Sequence, residues 1–197
     1  MELEELRQRL GVSVSDELLN QALTHRSYSY EHNNAPNNER LEFLGDTVLG
    51  FVVTTHIYNR FPELAEGELT KIKNAVVSAK ALAPIGRELN LGQHLILGKG
   101  EEASGGREKD NLISDAVEAV IGAVYLEHGL PASAGLIERY VFPLLEDHLE
   151  LISSSDPKTQ LQEYAQAKGL TPVYTTEHVG PDHDREFTTR VVVGETT

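Results

Sequence analysis

Acidic side chains recur at helical spacing within two strongly apolar segments of this sequence. Glu39, Glu42 and Asp46 lie in NNERLEFLGDTVLGFVV, at separations of three and four residues. Asp115 and Glu118 lie three residues apart in LISDAVEAVIGAVYLEHG. Because an α-helix advances about 100° per residue, each set falls on one side of its helix. Two groups of carboxylates are therefore predicted, one on each helix.

Both helices are expected to be buried, because apolar side chains cover nearly all their other directions. Several ionised carboxylates in such surroundings would cost several kcal/mol each, unless protons, basic partners or a metal compensate. Arg40 is the one basic residue within the first motif. Oxygen ligands without cysteine suit a hard cation, so the pattern favours Mg²⁺, with Mn²⁺ as a substitute.

Two other interpretations of these acids remain open. Carboxylates in the first turn of a helix also stabilise its positive N-terminal end, without any metal. A carboxylate-bridged di-iron site would need histidine three residues after glutamate, and no glutamate in the sequence has one there.

Composition and charge restrict the class of protein. The chain has 197 residues, 40% of them hydrophobic, and no cysteine, which is typical of a globular protein of a reducing compartment. The charged N-terminus MELEELRQRL is unlike a signal peptide, and the sequence is interpreted as cytoplasmic, with no membrane partner. The net charge of −14 disfavours a polyanionic ligand unless bound cations intervene.

The elements that carry the acids are predicted to be helical. Helices are expected after Ser15, from Asn37 or Asn38 to about Arg60, and from Asn111 to Gly129. The stretch EGELTKIKNAVVSAKALAPIGRELN is predicted as helix broken near Pro84, and LGKGEEASGGREKD as a glycine-rich loop. The first part of the chain is thus predicted to be all helical.

The pattern changes after SSSDP, which resembles a linker in composition. TQLQEYAQAKG predicts a short helix, and PVYTTEHVG and EFTTRVVVGE predict two strands. The resulting domain prediction is a catalytic domain at 1–152, a linker at 153–157 and an incomplete α+β domain at 158–197.

The motifs resemble those of bacterial ribonuclease III. NERLEFLGDTVL is similar to the signature of that family, LISDAVEAVIGAVYLEHG to its second acidic motif, and ALTHRSY, EGELTKIKNAVVS and SGGR follow in matching order. From Asp156 onward the chain resembles the start of a double-stranded RNA-binding domain. The resemblance implies a mainly α fold: an all-helical endonuclease domain followed by a partial α+β RNA-binding domain.

The resemblance also implies a function and a set of site residues. The family cleaves double-stranded RNA as a homodimer with Mg²⁺, in processing of ribosomal RNA precursors and mRNA, and leaves 5′ phosphates, 3′ hydroxyls and short 3′ overhangs. The matching metal-binding acids are Glu42, Asp46, Asp115 and Glu118, with Asp46 and Glu118 as the catalytic pair. The other matching positions are Glu39 and Glu66 as additional acids and Phe43 as a dimer contact.

Further positions match RNA-contacting parts of the family. In the tail these are Thr159, Gln162 and Glu163 on a helix, and Pro181 and His183 in a loop that enters a minor groove. Lys71, Lys73, Arg107 and Lys109 are candidate phosphate contacts near the catalytic acids. An alternative function is a non-catalytic platform that binds double-stranded RNA.

Overall fold

The computed structural model describes residues 2–146, 161–162, 164–166, 168–179 and 186–194. The chain divides into two compact units, Met1–His148 and Leu149–Thr197. The predicted linker at 153–157 lies outside the described residues, so the predicted domain bounds stay a prediction.

The regular elements in the described part of the first unit are all helices. Its helices are, in chain order, α1 Glu2–Leu10, α2 Asp16–Leu23, α3 Arg26–Glu31, α4 Glu39–Arg60, α5 Glu66–Val76, α6 Ala79–Glu88, α7 Leu91–His94, α8 Lys99–Ala103, a 3₁₀ helix at Gly106–Glu108, and α9 Asp110–Tyr140. The predicted fold class, mainly α, is confirmed in this unit.

Helices α4 and α9 form the centre of the core, and they pack against each other more extensively than any other pair of described elements. Their contact depends on two glycines. A Cβ added at Gly45 would lie 1.8 Å from the carbonyl oxygen of Glu118, and one at Gly122 would lie 2.3 Å from that of Leu41. Only glycine at both positions allows the two backbones to approach this closely.

The prediction that α4 is buried on all sides is wrong. Leu49 and Val53 are buried, but Phe43 is 78% exposed, Phe51 58% and Tyr58 69%. These three aromatic residues lie within about 80° of one another around the helix, so they form one exposed apolar face. The apolar periodicity of α4 did not separate this face from the buried one, although the family resemblance had indicated Phe43 as a dimer contact.

Helix α9 bends at Gly129, which has φ 75° and ψ −175°. The predicted helix end at this glycine is confirmed, and Pro131 begins the following helical segment, where a missing N–H is tolerated. The helix is long and apolar enough to cross a membrane by length and composition, yet 44% of its most apolar window is buried in the protein. That burial is expected of the core helix of a folded domain.

Two local predictions need correction. The helix expected to break near Pro84 breaks earlier, at Val77 and Ser78, because the Ser78 side chain accepts a hydrogen bond from Ala81 N at 3.3 Å and starts a new helix. The glycine-rich segment expected as a loop contains α8 and the 3₁₀ helix. Helix α1 ends at Leu10, and Gly11 follows it with φ 67°.

The second unit contains an antiparallel pair of strands, β1 Val173–Val179 and β2 Glu186–Val192, in the register Val173 opposite Val192. Residues 161–162 and 164–166 are helical, and Ala165 on this helix is buried. The predicted short helix and two strands are thus confirmed where the structure describes them. Residues 180–185, between the two strands, lie outside the described residues.

Candidate metal centre

Three of the predicted acids converge where α4 crosses α9. Glu42 from α4 and Asp115 and Glu118 from α9 each offer a carboxylate oxygen, and these oxygens lie within 4.8 Å of one another. The glycine crossing brings the acids together, because Gly45 lies one turn after Glu42 and meets the backbone of Glu118. All three side chains are half-buried.

Asp46 takes a different position from the other three. It lies one turn after Glu42 on α4, but it is exposed and is not among the carboxylates that converge within 4.8 Å. Its charge nevertheless acts on the cluster, because it contributes to the raised pKa of Glu118. The expectation of a site without any solvated side is therefore wrong, since the cluster lies at the edge of the core and not inside it.

Burial and mutual repulsion disfavour ionisation of these acids in the absence of a cation. Burial raises the pKa of Glu118 to about 8, with further contributions from the charges of Asp46 and Asp115. Burial is also the main cause that raises the pKa of Glu42 and that of Asp115. A divalent cation would relieve the repulsion, and three carboxylates at this separation are the oxygen ligands that such ions prefer. The residues present therefore fit a divalent metal.

Glu42 and Asp115 of the cluster line a cleft of about 520 Å³ between α3, α4, α8 and the start of α9. The residues around it are mostly polar: His25, Arg26, Ser27, Tyr30, Asn38, Glu39, Glu42, Glu101, Lys109, Asn111, Leu112 and Asp115. A cleft of this polarity suits a charged, hydrated ligand better than an apolar one.

Glu39 lies in this cleft beside the cluster but is not part of it. Its Oε1 is 3.5 Å from Nη1 of Arg26, and its backbone N–H donates to the Asn37 side chain at 3.2 Å. Glu66 lies elsewhere, in a groove between α4 and α5 with Tyr58 and Lys73, where it accepts a hydrogen bond from Thr70 at 3.0 Å. The structure thus places one additional acid at the site and the other apart from it.

The loop before α3 forms one wall of the cleft and is held at several points. His25 N–H donates to the carbonyl of Ile96 at 3.0 Å, and Gly98 N–H donates to Ser27 Oγ at 2.9 Å. His25 Nδ1 accepts from Ser27 N–H at 3.2 Å, and burial lowers the pKa of His25, which favours the neutral ring. No role was predicted for His25 and Ser27 from the sequence, although the motif ALTHRSY contains both.

Two of the predicted phosphate contacts are engaged with protein acceptors. Arg107 donates to both oxygens of Glu102 at 2.7 Å and to three backbone carbonyls around α7, so it holds the α8 segment in place. Lys109 Nζ is 2.5 Å from Glu101 Oε1 and 2.9 Å from Ser104 Oγ. Lys71 is exposed on α5, away from the cleft residues.

Of the tail residues predicted to contact RNA, the structure describes Gln162. Gln162 is exposed on the short helix of the second unit. Thr159, Glu163, Pro181 and His183 lie outside the described residues. Their predicted roles in RNA binding remain predictions.

Comparison with known proteins places the chain in a family. A model of the Ribonuclease-III-like family matches residues 15–145, and a model of the double-stranded RNA binding motif matches residues 157–197. Ribonuclease 3 of Mycolicibacterium smegmatis is 50% identical over 194 residues, covering 96% of this chain and 84% of that protein. Ribonuclease 3 of Thermobifida fusca is 47% identical over 197 residues, covering 99% and 82%.

A solved structure agrees with these sequence matches. The nuclease domain of ribonuclease III from Campylobacter jejuni, which has a region involved in dimer formation, is 42% identical to this chain with a TM-score of 0.66. The match covers 71% of this chain and 95% of that domain. The chain therefore belongs to the ribonuclease III family of endoribonucleases.

Proposed function

We propose that this chain cleaves double-stranded RNA endonucleolytically with Mg²⁺ held by Glu42, Asp115 and Glu118, and that Asp46 completes the acidic set. The observation that carries the proposal is the convergence of the three carboxylates across the α4–α9 crossing, in a member of a family of endoribonucleases. Mn²⁺ would substitute, because it accepts the same oxygen ligands.

The residues of the chain have distinct tasks in this proposal. Glu42 on α4 and Asp115 and Glu118 on α9 hold the metal between two helices whose spacing is fixed by Gly45 and Gly122. A bound ion would supply an activated water and relieve charge at the scissile phosphate. It would also reduce the repulsion between phosphate and these carboxylates.

Asp46 and Glu118 are the proposed catalytic pair. Glu118 is the carboxylate whose pKa is raised furthest towards neutrality, and Asp46 is the acid of the set most open to solvent. Glu39 lies at the rim, beside the path by which RNA enters the cleft. The products implied for such a site are 5′ phosphates and 3′ hydroxyls with short 3′ overhangs.

The proposal includes a homodimer. The exposed face of α4, defined by Phe43, Phe51 and Tyr58, is an apolar surface that a second copy of the chain would cover. The related Campylobacter domain has a region involved in dimer formation, which supports this assignment. Phe43 is then a dimer contact, and two acidic clefts in one dimer can each cut one strand of a duplex.

The residues matching the double-stranded RNA binding motif would add contacts to the duplex outside the cleft. Processing of ribosomal RNA precursors and mRNA would be the biological role. The cysteine-free composition fits action in the reducing cytoplasm.

The proposal is tested by incubating the purified chain with a long RNA duplex in Mg²⁺ and in EDTA. Cleavage is expected only in Mg²⁺. The Glu118→Gln variant should lose about 100-fold or more of the rate, because the isosteric amide cannot supply the negative charge that holds the metal. Glu138→Gln, an exposed acid on the same helix, is the matched control and should cleave normally.

Binding measured beside cleavage separates the alternatives. Glu118→Gln should still bind the duplex, since it leaves the rest of the surface unchanged. Intact RNA in both Mg²⁺ and EDTA, with binding retained by the parent chain, would instead establish the non-catalytic platform.

A further inference from the structure

The acidic cleft contains few basic side chains for a site that must accept an RNA phosphate. Arg26 and Lys109 are the basic residues that line it within the described part of the chain. Lys109 is held by Glu101 at 2.5 Å and by Ser104 at 2.9 Å, and this arrangement lowers the pKa of Glu101. Lys109 therefore already has partners that keep it at the wall formed by α8.

Arg26 is held less firmly. Its side chain is 59% exposed, and its contact with the carboxylate of Glu39 is 3.5 Å long. Exposed ion pairs of this kind contribute little to folding stability, so exchanging one acidic partner for another costs the protein little. A guanidinium can also donate two parallel hydrogen bonds to a phosphate, which makes it well suited to this exchange.

The backbone that carries Arg26 is fixed, although its side chain is exposed. The residue before it donates to the Ile96 carbonyl, and the residue after it accepts from Gly98 N–H. The guanidinium lies close enough to the acids that its positive charge opposes the rise in the pKa of Glu42 and of Asp115. It is therefore a cation directed into the metal-binding cleft from a rigid support.

We infer that Arg26 is a substrate-contacting residue, whose guanidinium leaves Glu39 and binds a phosphate of the RNA strand that enters the acidic cleft. The inference rests on the proposed function, because it assumes that RNA enters this cleft. It assigns Glu39 a second task, which is to hold Arg26 at the rim until the phosphate arrives.

Steady-state cleavage of a defined RNA duplex in Mg²⁺ is the first test. Arg26→Gln should raise KM about 10-fold and change kcat by less than about 3-fold, because the contact is present before the chemical step. Arg26→Lys keeps the charge but not the paired donors, so it should recover only part of the loss. Arg9→Gln is the matched control, because it removes the same charge from α1, where Arg9 pairs with Glu5 at 2.8 Å.

The dependence of binding on salt is the second test, and a merely structural role would not change it. Duplex binding is measured over a series of KCl concentrations in a Glu118→Gln background. Arg26→Gln loses one phosphate contact and should reduce the slope of log K against log salt concentration by about 1. Arg26→Lys and Arg9→Gln should leave the slope unchanged.

The two proposals fail differently. An unchanged KM and an unchanged salt slope in a folded Arg26→Gln variant would overturn the role of Arg26, even if the parent chain cleaves RNA in Mg²⁺. Intact RNA after incubation of the parent chain with Mg²⁺ would overturn the proposed function, whereas the salt slope would still decide whether Arg26 contacts phosphate.

Discussion

The Glu118 carboxylate is the acid of the cluster for which ionisation is most strongly disfavoured. It is half-buried beside other acids, and burial raises its pKa from 4.5 to about 8. A group with this pKa is largely protonated at neutral pH when no cation is bound, and a metal ion must displace that proton. Metal binding to the chain should therefore release protons and strengthen as the pH rises.

The raised pKa of Glu118 also predicts how the metal-free chain depends on pH. Below pH 4.5 the carboxyl is protonated whether the chain is folded or unfolded. Between 4.5 and about 8 the folded chain holds a proton that the unfolded chain has lost, so the free energy of unfolding falls as the pH rises. After allowance for solvent screening at this half-exposed site, the loss should be on the order of 1–2 kcal/mol.

Glu118→Gln should remove that loss. In EDTA at pH 8 the variant is expected to be more stable than the parent by this amount in urea unfolding, and the difference should vanish near pH 4.5. Adding Mg²⁺ should raise the Tm of the parent but not that of the variant. A parent chain whose stability in EDTA does not change between pH 5 and pH 8 would contradict the electrostatic account of Glu118.

At the residue scale, the sequence predicted that acids from two helices would lie together, but it did not distinguish among them, and their role as metal ligands stays a prediction. The helical spacing placed Glu42, Asp115 and Glu118 on the correct sides of their helices. It gave no indication that Asp46 is exposed, because exposure depends on what packs against α4. The pairing of Arg26 with Glu39 joins residues from two elements, which periodicity along one helix cannot show.

At the scale of elements, the crossing of α4 and α9 determines the distances within the cluster. An added methyl group at Gly45 would meet the backbone of Glu118, which cannot move aside as a flexible side chain could. Gly45→Ala should therefore separate the helices, lower the free energy of unfolding by about 1–3 kcal/mol, and abolish the rise in Tm on adding Mg²⁺. Gly122→Ala should have the same effects.

Gly135→Ala is the matched control for the crossing. Gly135 lies in α9 with no atom within 4 Å of an added Cβ, so the substitution should leave the Mg²⁺ response unchanged and should stabilise the helix by up to about 1 kcal/mol. A Gly45→Ala variant with the stability and Mg²⁺ response of the parent would show that the glycine contact does not set the position of the acids.

The elements themselves were largely predictable, since α4 ends at Arg60 and α9 bends at Gly129 as their terminal signals indicate. The break before α6 was not predictable in the same way. Ser78 caps α6 and starts a new helix, whereas Pro84 lies inside α6 without interrupting it. Gly45 and Gly122 are recognisable in the sequence as small residues within apolar helices. A single sequence cannot show which two helices cross at them.

At the scale of the whole molecule, the exposed face of α4 predicts association of two chains. We expect a dimer by sedimentation equilibrium. Phe43→Asp should weaken it by at least about 30-fold, since a charge would replace a large aromatic contact. When dimerisation is weakened, the rate at which both strands of a duplex are cut should fall as well. Val173→Ser, which changes a side chain 61% exposed in the second unit, is the control.

A monomeric parent chain that still cuts both strands would contradict this assignment of the α4 face. Sequence patterning could not predict the face, because a helix that is apolar on all sides is consistent both with complete burial and with a partner. The exposed fraction of each aromatic side chain distinguishes the two.

The net charge of −14 makes metal binding the central claim for the whole chain, since an acidic nuclease needs cations where RNA is cut. Diffraction from a crystal soaked in Mn²⁺, measured for anomalous signal, tests this claim most directly. We predict a peak within about 2.5 Å of carboxylate oxygens from Glu42, Asp115 and Glu118. At saturating Mn²⁺, the absence of density among these three side chains would contradict the account.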